Sequence, residues 1–343
     1  MILSLIRQAQ DAGVRLQAAC RVVGLPPRTI QRWRNNPDGE DGRHGAHHKQ
    51  SNALRTSEEA QILEVMLSER YRGVPIKQLV PMLADEKLYL ASESTFYRLA
   101  RRRGLRRTPR ETKRTYANRA NRMHCATGPN QVWSWDITWL PTNVRGRFFY
   151  LYMVMDVWSR RIVGRTIAET ESPDISAALV ADICRETGID PCGLVLHADN
   201  GNAMRGNTMI ATLQKLGIIP SFSRPHVSDD NPYSESLFRT LKHTPAYPRR
   251  VFASMAAASA WVTAFVDWYN GTHRHSGIRF VTPNERHDGR EHAILARRHE
   301  LYQRAKRANP ERWSRNTRNW SPVGEVLLNP EPNAAGEAIA AAS

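Results

Sequence analysis

The chain has 343 residues, of which 41% are hydrophobic, and this is enough for two or three domains with real cores. Its 49 Lys and Arg residues exceed its 33 Asp and Glu residues, so the formal net charge is +16. No apolar run approaches the ~20 residues of a membrane span, and no secretory signal is expected. Four cysteines without paired spacing argue against a disulfide framework. The composition therefore fits a protein of the reducing cytosol.

The positive charge is concentrated in the N-terminal third. Residues 1–130 hold 24 Lys and Arg against 12 Asp and Glu, whereas residues 131–290 hold 17 against 15. This asymmetry is typical of a region that contacts a polyanion, followed by a less charged region that does chemistry. A solvated basic surface is the alternative, but a pI near 10.2 favours nucleic acid as the partner.

Residues 16–34 have the pattern of a helix-turn-helix. A short helix is predicted to end at Gly24, and Pro27 is predicted to begin a second helix after a tight turn. Such a helix can enter the major groove of DNA, where its side chains meet bases or phosphates. The candidate DNA contacts on this helix are Arg28, Gln31 and Arg32. A small helical hairpin with a solvated basic face is the alternative.

A second helical region is predicted at residues 56–106. Ser57 is expected to cap its first helix, Pro75 to begin the next, and residues 92–103 to form a third that ends at Gly104. The basic end of this third helix makes the region a second candidate for DNA binding.

Two polar segments flank that region. Residues 37–55 are predicted to be a linker; its histidines (His44, His47 and His48) lack a Cys pair at zinc-finger spacing, which favours a solvated loop over a zinc site. Residues 107–130 are rich in arginine and are predicted to form an extended connector along a DNA backbone. A disordered charged linker is the alternative.

At Gln131 the hydrophobic period changes from 3.6 to 2. The apolar residues Trp133, Trp135, Ile137 and Trp139 alternate with polar ones, which predicts a strand with one apolar face and Asp136 on the other. Further strands are predicted at 148–157, 161–168, 193–197 and 218–222, with helices at 172–188, 208–216, 231–242 and 253–269. This order predicts an α/β layer architecture with a mixed sheet. A basic helix at 291–308 and a short strand within 323–328 are expected to follow.

Three acids stand at the ends or on the open face of these elements. Asp136 lies mid-strand, Asp199 follows the fourth strand, and Glu235 falls in the first turns of a helix for which Asn231 is a candidate N-cap. If the first and fourth strands are neighbours, the three carboxylates can converge at one edge of the sheet. Each acid alone has an ordinary explanation as an ion-pair member, a turn residue or a helix-dipole partner.

Together the three acids indicate a metal site. Oxygen ligands without His or Cys favour Mg²⁺ or Mn²⁺. Two such ions about 3.5–4 Å apart can clamp the attacking and leaving oxygens of an in-line phosphoryl displacement. Lys242, seven residues after Glu235 on the same helical face, would hold a neighbouring phosphate.

The spacing and the flanking segments resemble a known family. Thirty-five residues separate Asp199 from Glu235. The segments that carry the resemblance are 133–138 (WSWDIT), 156–164 (DVWSRRIVG), 197–201 (HADNG), 230–242 (DNPYSESLFRTLK) and 268–275 (WYNGTHRH). They resemble the large reading frame of insertion-sequence transposases, whose Asp-Asp-Glu catalytic core is shared with retroviral integrases. The resemblance is strong over about 130–290 and moderate over the N-terminal third.

The resemblance implies an RNase H-like mixed-sheet catalytic core of the α/β class, with an N-terminal all-α helix-turn-helix region. It implies that Asp136, Asp199 and Glu235 bind two Mg²⁺ ions, or Mn²⁺, and that Arg239 and Lys242 contact DNA. The expected reaction cleaves strands at the element ends to free a 3′-hydroxyl, and then transfers them to target DNA. The expected setting is the nucleoid in the bacterial cytoplasm, in a homo-oligomer on DNA.

Some residues and features stand apart from that expectation. Asp156 is interpreted as a hairpin-turn residue, and His273 and His275 as structural residues at a helix end or backbone contacts, although both could be read as metal ligands. The His-His-Cys-Cys zinc module of retroviral integrases is absent from the sequence. No sustained heptad run is visible. Related insertion-sequence proteins often act as a fusion with an upstream frame, so the resemblance implies a fusion partner of this kind.

The predicted domains and the rival functions complete the sequence-based interpretation. The boundaries are 1–36 (helix-turn-helix), 37–55 (linker), 56–106 (second helical DNA-binding unit), 107–130 (basic connector), 131–290 (catalytic core) and 291–343 (basic helix, short strands and tail). One rival function is a structure-selective nuclease that cuts DNA without joining it. The other is a DNA-binding regulator with an inactive core.

Overall fold

The computed structural model describes residues 1–35, 52–105, 124–224, 230–244, 247 and 251–329. It divides into two compact units, Met1–Ala53 and Leu54–Ser343. The histidines of the predicted linker and most of the predicted basic connector lie outside the described residues.

The first unit is a small bundle of three helices, α1 (Ile2–Asp11), α2 (Leu16–Val22) and α3 (Pro27–Asn35). Its core is formed by four buried residues, namely Ile6, Ala19, Cys20 and Ile30. Gly24 has a φ of +68°, which allows the tight turn between α2 and α3. The predicted pair of helices is therefore confirmed, with Pro27 at the start of the second.

The second unit opens with a helical region made of α4 (Thr56–Leu67), α5 (Ile76–Asp85) and α6 (Glu93–Arg102). The prediction that Ser57 caps α4 is wrong, because Arg55 occupies the N-cap and its amide donates to the Glu58 carboxylate at 2.7 Å. Ser92 does cap α6, where its hydroxyl accepts from the Thr95 amide. The helices enclose their own apolar core, which includes Ile62, Leu79, Leu83 and Phe96.

The strands of this unit form two sheets. They are β1 (His124–Ala126), β2 (Val132–Pro141), β3 (Phe148–Asp156), β4 (Ile162–Ala168), β5 (Val195–Ala198), β6 (Ile219–Phe222) and β7 (Val326–Leu328). The larger sheet has the order β4-β3-β2-β5-β6, with antiparallel pairing among the first three and parallel pairing of β2 with β5 and β5 with β6. The predicted mixed sheet is confirmed. The first and fourth strands of the core, β2 and β5, are neighbours, which meets the condition for the carboxylates to converge.

Helices cover both faces of the larger sheet. They are α7 (Pro173–Thr187), α8 (Asn202–Arg205) and α9 (Asn207–Leu216) on one face, and α10 (Pro232–His243) and α11 (Met255–Gly271) on the other. If β2 is numbered as the first strand of the core, the order β4-β3-β2-β5-β6 becomes 3-2-1-4-5. This order, with helices on both faces, is the RNase H-like arrangement that the resemblance predicts. The apolar face of β2 is shorter than predicted, because Trp139 is 55% exposed.

The C-terminal part of the unit consists of α12 (Pro283–His287), α13 (Glu291–Ala308) and β7. Strand β7 pairs antiparallel with β1, so residues 124–126 of the expected connector are strand rather than extended linker. The predicted basic helix is confirmed as α13. Arginines of the C-terminal part hold acids of the helical region: Arg298 binds Asp85 at 2.6 Å, Arg312 binds Glu58 at 2.9 Å, and Arg318 binds Glu93 at 3.1 Å.

Two further findings concern the part of the chain that the structure describes. Cys20, Cys125, Cys184 and Cys192 are all free thiols, as the sequence predicts. Among the described residues, we find no helix with the length and apolarity needed to cross a bilayer.

Candidate active site

The register of the sheet brings two of the predicted acids side by side. In the parallel pair, Trp133 of β2 lies opposite Leu196 of β5, and Ser134 lies opposite His197. Continued by two residues, this register sets Asp136 opposite Asp199, which follows the end of β5. Because side chains alternate along a strand, Asp136 points to the face opposite the buried tryptophans.

The surroundings of Asp136 are crowded with negative charge. Its Oδ1 accepts a hydrogen bond from the Ile137 amide at 2.7 Å. Burial raises the pKa of Asp136 to about 7; the Ile137 amide opposes the rise, and the charges of Asp199, Glu235 and Glu171 add to it. Asp199 and Glu235 are therefore close enough to Asp136 to act on it electrostatically.

The start of α10, which carries Glu235, is fastened to β2 by buried hydrogen bonds. The Ser134 hydroxyl donates to Asn231 Oδ1 at 2.6 Å and lies 2.7 Å from the Ser234 hydroxyl. Asn231 Nδ2 donates to the Trp135 carbonyl at 3.1 Å. Asn231 occupies the N-cap as predicted, but its side chain makes no capping bond. The sequence offered one sign of this network, since Ser134 shares the Asp136 face of β2.

A second network holds the loop around Asp199. The Ser223 hydroxyl donates to Asp199 Oδ1 at 2.7 Å. His197 is buried, with Nδ1 2.9 Å from the Ser221 hydroxyl and Nε2 3.0 Å from the Asp230 carbonyl. Burial lowers the pKa of His197, which favours a neutral ring. The ring connects Ser221 to the Asp230 carbonyl by hydrogen bonds.

The three acids do not form a closed cage in this arrangement. Across the described residues, no cluster of three or more His, Cys, Asp or Glu side chains has the geometry to hold a metal ion. Glu235 is exposed on the surface of α10, whereas Asp136 is partly buried. The sheet and the helix thus bring the three carboxylates near one another, but not into the geometry of a shared metal site.

The predicted cationic contacts are exposed. On α10, Glu235, Arg239 and Lys242 follow one another at intervals of four and three residues, which sets them on one helical face. The opposite face of α10, with Leu237 and Leu241, is buried against the sheet. In the first unit, the predicted contacts are likewise exposed on α3: Arg28, Gln31 and Arg32.

The residues interpreted as structural have that role. Asp156 is fully buried, and its carboxylate accepts from the amides of Ser159 at 2.6 Å and Asn130 at 2.7 Å, which confirms a turn residue. His275 Nδ1 accepts from the Gly277 amide at 3.1 Å and caps a short 3₁₀ turn. His273 stacks against Tyr269, and burial lowers its pKa to about 4.

Comparison with known proteins identifies the core. Residues 126–228 match one family model described as integrase core domain, and residues 216–283 match a second with the same description. A transposase for insertion sequence element IS904 of Lactococcus lactis is 30% identical over 169 residues, which are 49% of this chain and 65% of that protein. Transposase InsF for insertion sequence IS3A of Escherichia coli is 30% identical over 164 residues, which are 47% and 54%.

Solved structures show only a limited likeness to this chain, with TM-scores below 0.5. A simian T-cell lymphotropic virus intasome has a TM-score of 0.39 at 16% identity, over 57% of this chain and 67% of that one. A Mos1 transposase paired-end complex has a TM-score of 0.36 at 13% identity, over 77% and 89%. The chain spans between about half and two thirds of the curated relatives' length. On these matches, residues 126–283 are similar to integrase core domains, and about half of the chain is similar to insertion-sequence transposases.

Proposed function

We propose that this chain catalyses DNA transposition, by strand cleavage at the ends of an insertion sequence and strand transfer into target DNA. Asp136, Asp199 and Glu235 are the proposed catalytic acids and metal ligands. The observation that carries the proposal is the electrostatic crowding at Asp136, whose pKa is raised to about 7 by burial and by the charges of the other two acids. Such a perturbed acid among like charges is typical of an active site.

The donor set suits a hard divalent cation. Three carboxylates without His or Cys fit Mg²⁺, with Mn²⁺ as a substitute, and two ions are proposed for the site. When bound, the ions would supply activation of the attacking oxygen and stabilisation of the leaving oxygen. A divalent cation would also favour the ionised form of Asp136, whose pKa is raised by burial and by the charges of the neighbouring acids.

The remaining residues of the site position these acids and the DNA. The Ser134–Asn231–Ser234 network fixes the start of α10, and Ser223 orients the Asp199 carboxylate. Arg239 and Lys242, exposed on the Glu235 face of α10, are proposed to bind phosphates near the scissile bond.

The DNA partner is proposed to be held at more than one place. Arg28, Gln31 and Arg32 on α3 are proposed to contact the element ends, and the helical region at 56–106 to add a second DNA-binding surface. The exposed end of α6 carries three arginines, Arg101, Arg102 and Arg103, of which Arg102 also pairs with Glu59. The protein is further proposed to act on DNA as a homo-oligomer, with an upstream-frame fusion as a second form. Its proposed location is the nucleoid in the bacterial cytoplasm.

A strand-transfer assay tests this function. Labelled element-end DNA, target DNA and Mg²⁺ are incubated with the protein and with Asp199→Asn, and joined products are resolved on a gel. We expect joined products from the parent protein and none from Asp199→Asn. The control is Asp182→Asn, which alters a partly exposed acid of α7 that pairs with Arg185.

The same assay separates the rival functions. Hydrolysis without joining would contradict strand transfer and support a nuclease. DNA binding with no metal-dependent cleavage, in any oligomeric form and with the upstream frame supplied, would support a regulator with an inactive core.

A further inference from the structure

A cavity of about 350 Å³ lies beside the first turns of α10, next to the proposed catalytic helix. It is bounded by α10 with Tyr233 and Ser236, by the turn between β3 and β4 with Arg160, by Tyr269 of α11, and by Asn329 just after β7. This volume falls in the range of pockets that bind small molecules. Ser236 directly follows Glu235, so one residue of the cavity lining is the sequence neighbour of a proposed catalytic acid.

Arg160 brings a buried positive charge to this cavity. The residue is 7% exposed, and its Nη1 donates to the Val157 carbonyl at 2.7 Å, while its Nε–H has no hydrogen-bond partner. The guanidinium lies 4.0 Å from the centre of the Tyr233 ring. Among the described residues, no carboxylate forms an ion pair with it. The nearest acid in sequence, Asp156, directs its oxygens to Ser159 and Asn130 instead.

A buried cation without a counter-ion is costly, because desolvation disfavours the charge. The cost is relieved if an anion enters the cavity and accepts from the free Nε–H. His275, which also lines the cavity, adds no positive charge, because burial lowers its pKa to about 3. The charge of Arg160 therefore favours an anionic ligand in this cavity.

Asn329 supplies a second unsatisfied atom. The residue is 2% exposed, and its Nδ2 donates to the Asp230 carbonyl at 2.8 Å. That bond fixes the amide so that Oδ1 is the remaining acceptor, and Oδ1 has no partner. The rings of Tyr233 and Tyr269 form part of the wall. A fitting ligand thus carries an anionic acceptor, a hydrogen-bond donor and a flat or apolar body.

We propose that this cavity binds one nucleotide unit, with its phosphate at Arg160 and a donor of its base or sugar at Asn329, among the aromatic side chains. The assignment of DNA as the source of that nucleotide rests on the proposed function. The assignment of a phosphate at Arg160 does not rest on that function, because a free nucleotide would offer the same phosphate, base and sugar.

Binding of small probes tests the cavity directly. Inorganic phosphate and deoxyadenosine monophosphate are titrated by calorimetry at fixed ionic strength into the full chain, Arg160→Gln and Arg161→Gln. We expect saturable binding that is tighter for the nucleotide, and a loss of roughly tenfold or more in Arg160→Gln, since a hydrogen bond to a charged group contributes about 1.5–3 kcal/mol. Arg161→Gln is the matched control, because Arg161 is on the same turn and is more exposed.

Several outcomes would overturn the proposal. These are the absence of saturable binding, equal binding by Arg160→Gln, or an equal loss in Arg161→Gln. If Arg160→Gln does not fold, Ser236→Glu replaces it, because Ser236 is exposed on α10 and the new charge would repel the phosphate. It should weaken nucleotide binding while leaving the melting temperature of the free protein unchanged, and unaltered binding would contradict the proposal.

A competition experiment identifies the source of the nucleotide. Displacement of bound deoxyadenosine monophosphate by element-end DNA would support the strand end as the occupant. If deoxyadenosine monophosphate stays bound when element-end DNA is added, the assignment of DNA as the source is wrong. The cavity would then be a site for free nucleotides. Asp199→Asn should bind the nucleotide normally, so failure of the catalytic proposal and failure of this one are distinguishable.

Discussion

The two faces of β2 differ although they belong to one strand. On one face, Trp133 and Trp135 are fully buried against α7 and α9 in an apolar core. On the other, Ser134 and Asp136 face α10 within a polar network and a cluster of acids. Alternation of side chains thus lets one strand secure the fold on one side and present chemistry on the other. Substitutions on the two faces should therefore separate stability from activity.

The largest effect on stability is expected on the tryptophan face. Trp135→Ala leaves a cavity in a core that is otherwise closed, and should lower the free energy of unfolding by about 3–5 kcal/mol. Urea denaturation followed by circular dichroism measures this loss. Trp139→Ala is the control, since Trp139 lies on the same strand but is 55% exposed, and an equal loss there would contradict the difference between buried and exposed positions.

On the polar face, loss of the hydrogen bonds that hold the start of α10 should reduce both stability and activity. Asn231→Ala removes the hydrogen bonds to Ser134 and to the Trp135 carbonyl, and should destabilise the protein by about 1–3 kcal/mol because buried partners lose their bonds. If the proposed function holds, it should also raise the Mg²⁺ concentration needed for half-maximal strand cleavage, because Glu235 is less firmly placed.

Thr240→Ala provides the matched control for that variant. Its hydroxyl donates to the Ser236 carbonyl within α10, away from the anchor. The requirement for Mg²⁺ should stay at the parent value in Thr240→Ala. A parent-like requirement in Asn231→Ala would show that the network stabilises the fold without positioning the acid.

Asp136 makes the stability of the metal-free protein depend on pH. Its pKa is raised from 3.8 to about 7 in the folded state, so folding favours the protonated acid. Stability from this group is therefore highest below about pH 4 and falls as the pH rises towards 7. Asp136→Asn should be more stable than the parent at pH 8, by on the order of 1–3 kcal/mol, and should lose activity.

Denaturation in EDTA at pH 5 and pH 8 measures that difference. Asp182→Asn, in a less crowded position, should show no such gain at pH 8. If Asp136→Asn is as stable as the parent at both pH values, burial and the neighbouring acids do not disfavour the ionised Asp136 carboxylate as described. Added Mg²⁺ should reduce the gain, because the cation would offset the repulsion in the parent.

The smallest effect is expected from the cations on α10. Lys242→Gln should weaken binding of element-end DNA modestly and reduce the slope of log affinity against log salt concentration by about 1, as expected for one phosphate contact. Fluorescence anisotropy across a range of salt concentrations measures this. Lys215→Gln, an exposed position on α9, should leave the slope unchanged, and an equal effect there would indicate nonspecific attraction.

Local patterns predicted most of the core. The period-2 alternation at Trp133 and Trp135 located β2, and the strand ends located Asp199 close to Asp136. The contacts that fix the site and the C-terminal part were harder to foresee, because they join residues far apart. In the site, Ser134 and Asn231 are separated by 97 positions, and outside it, Asp85 and Arg298 are separated by 213. Periodicity reports which face of an element is buried and carries no information about its distant partner.

The pairing of β1 with β7 has a consequence for how the chain can be divided. The Tyr233 hydroxyl donates to the Leu327 carbonyl at 2.7 Å, and Asn329 holds the Asp230 carbonyl at 2.8 Å, so the last strand supports the start of the helix that carries Glu235. A fragment trimmed to residues 131–290 keeps all three acids and discards this brace. We therefore expect a fragment with the motif-based boundaries to hold Glu235 less firmly than the full chain does.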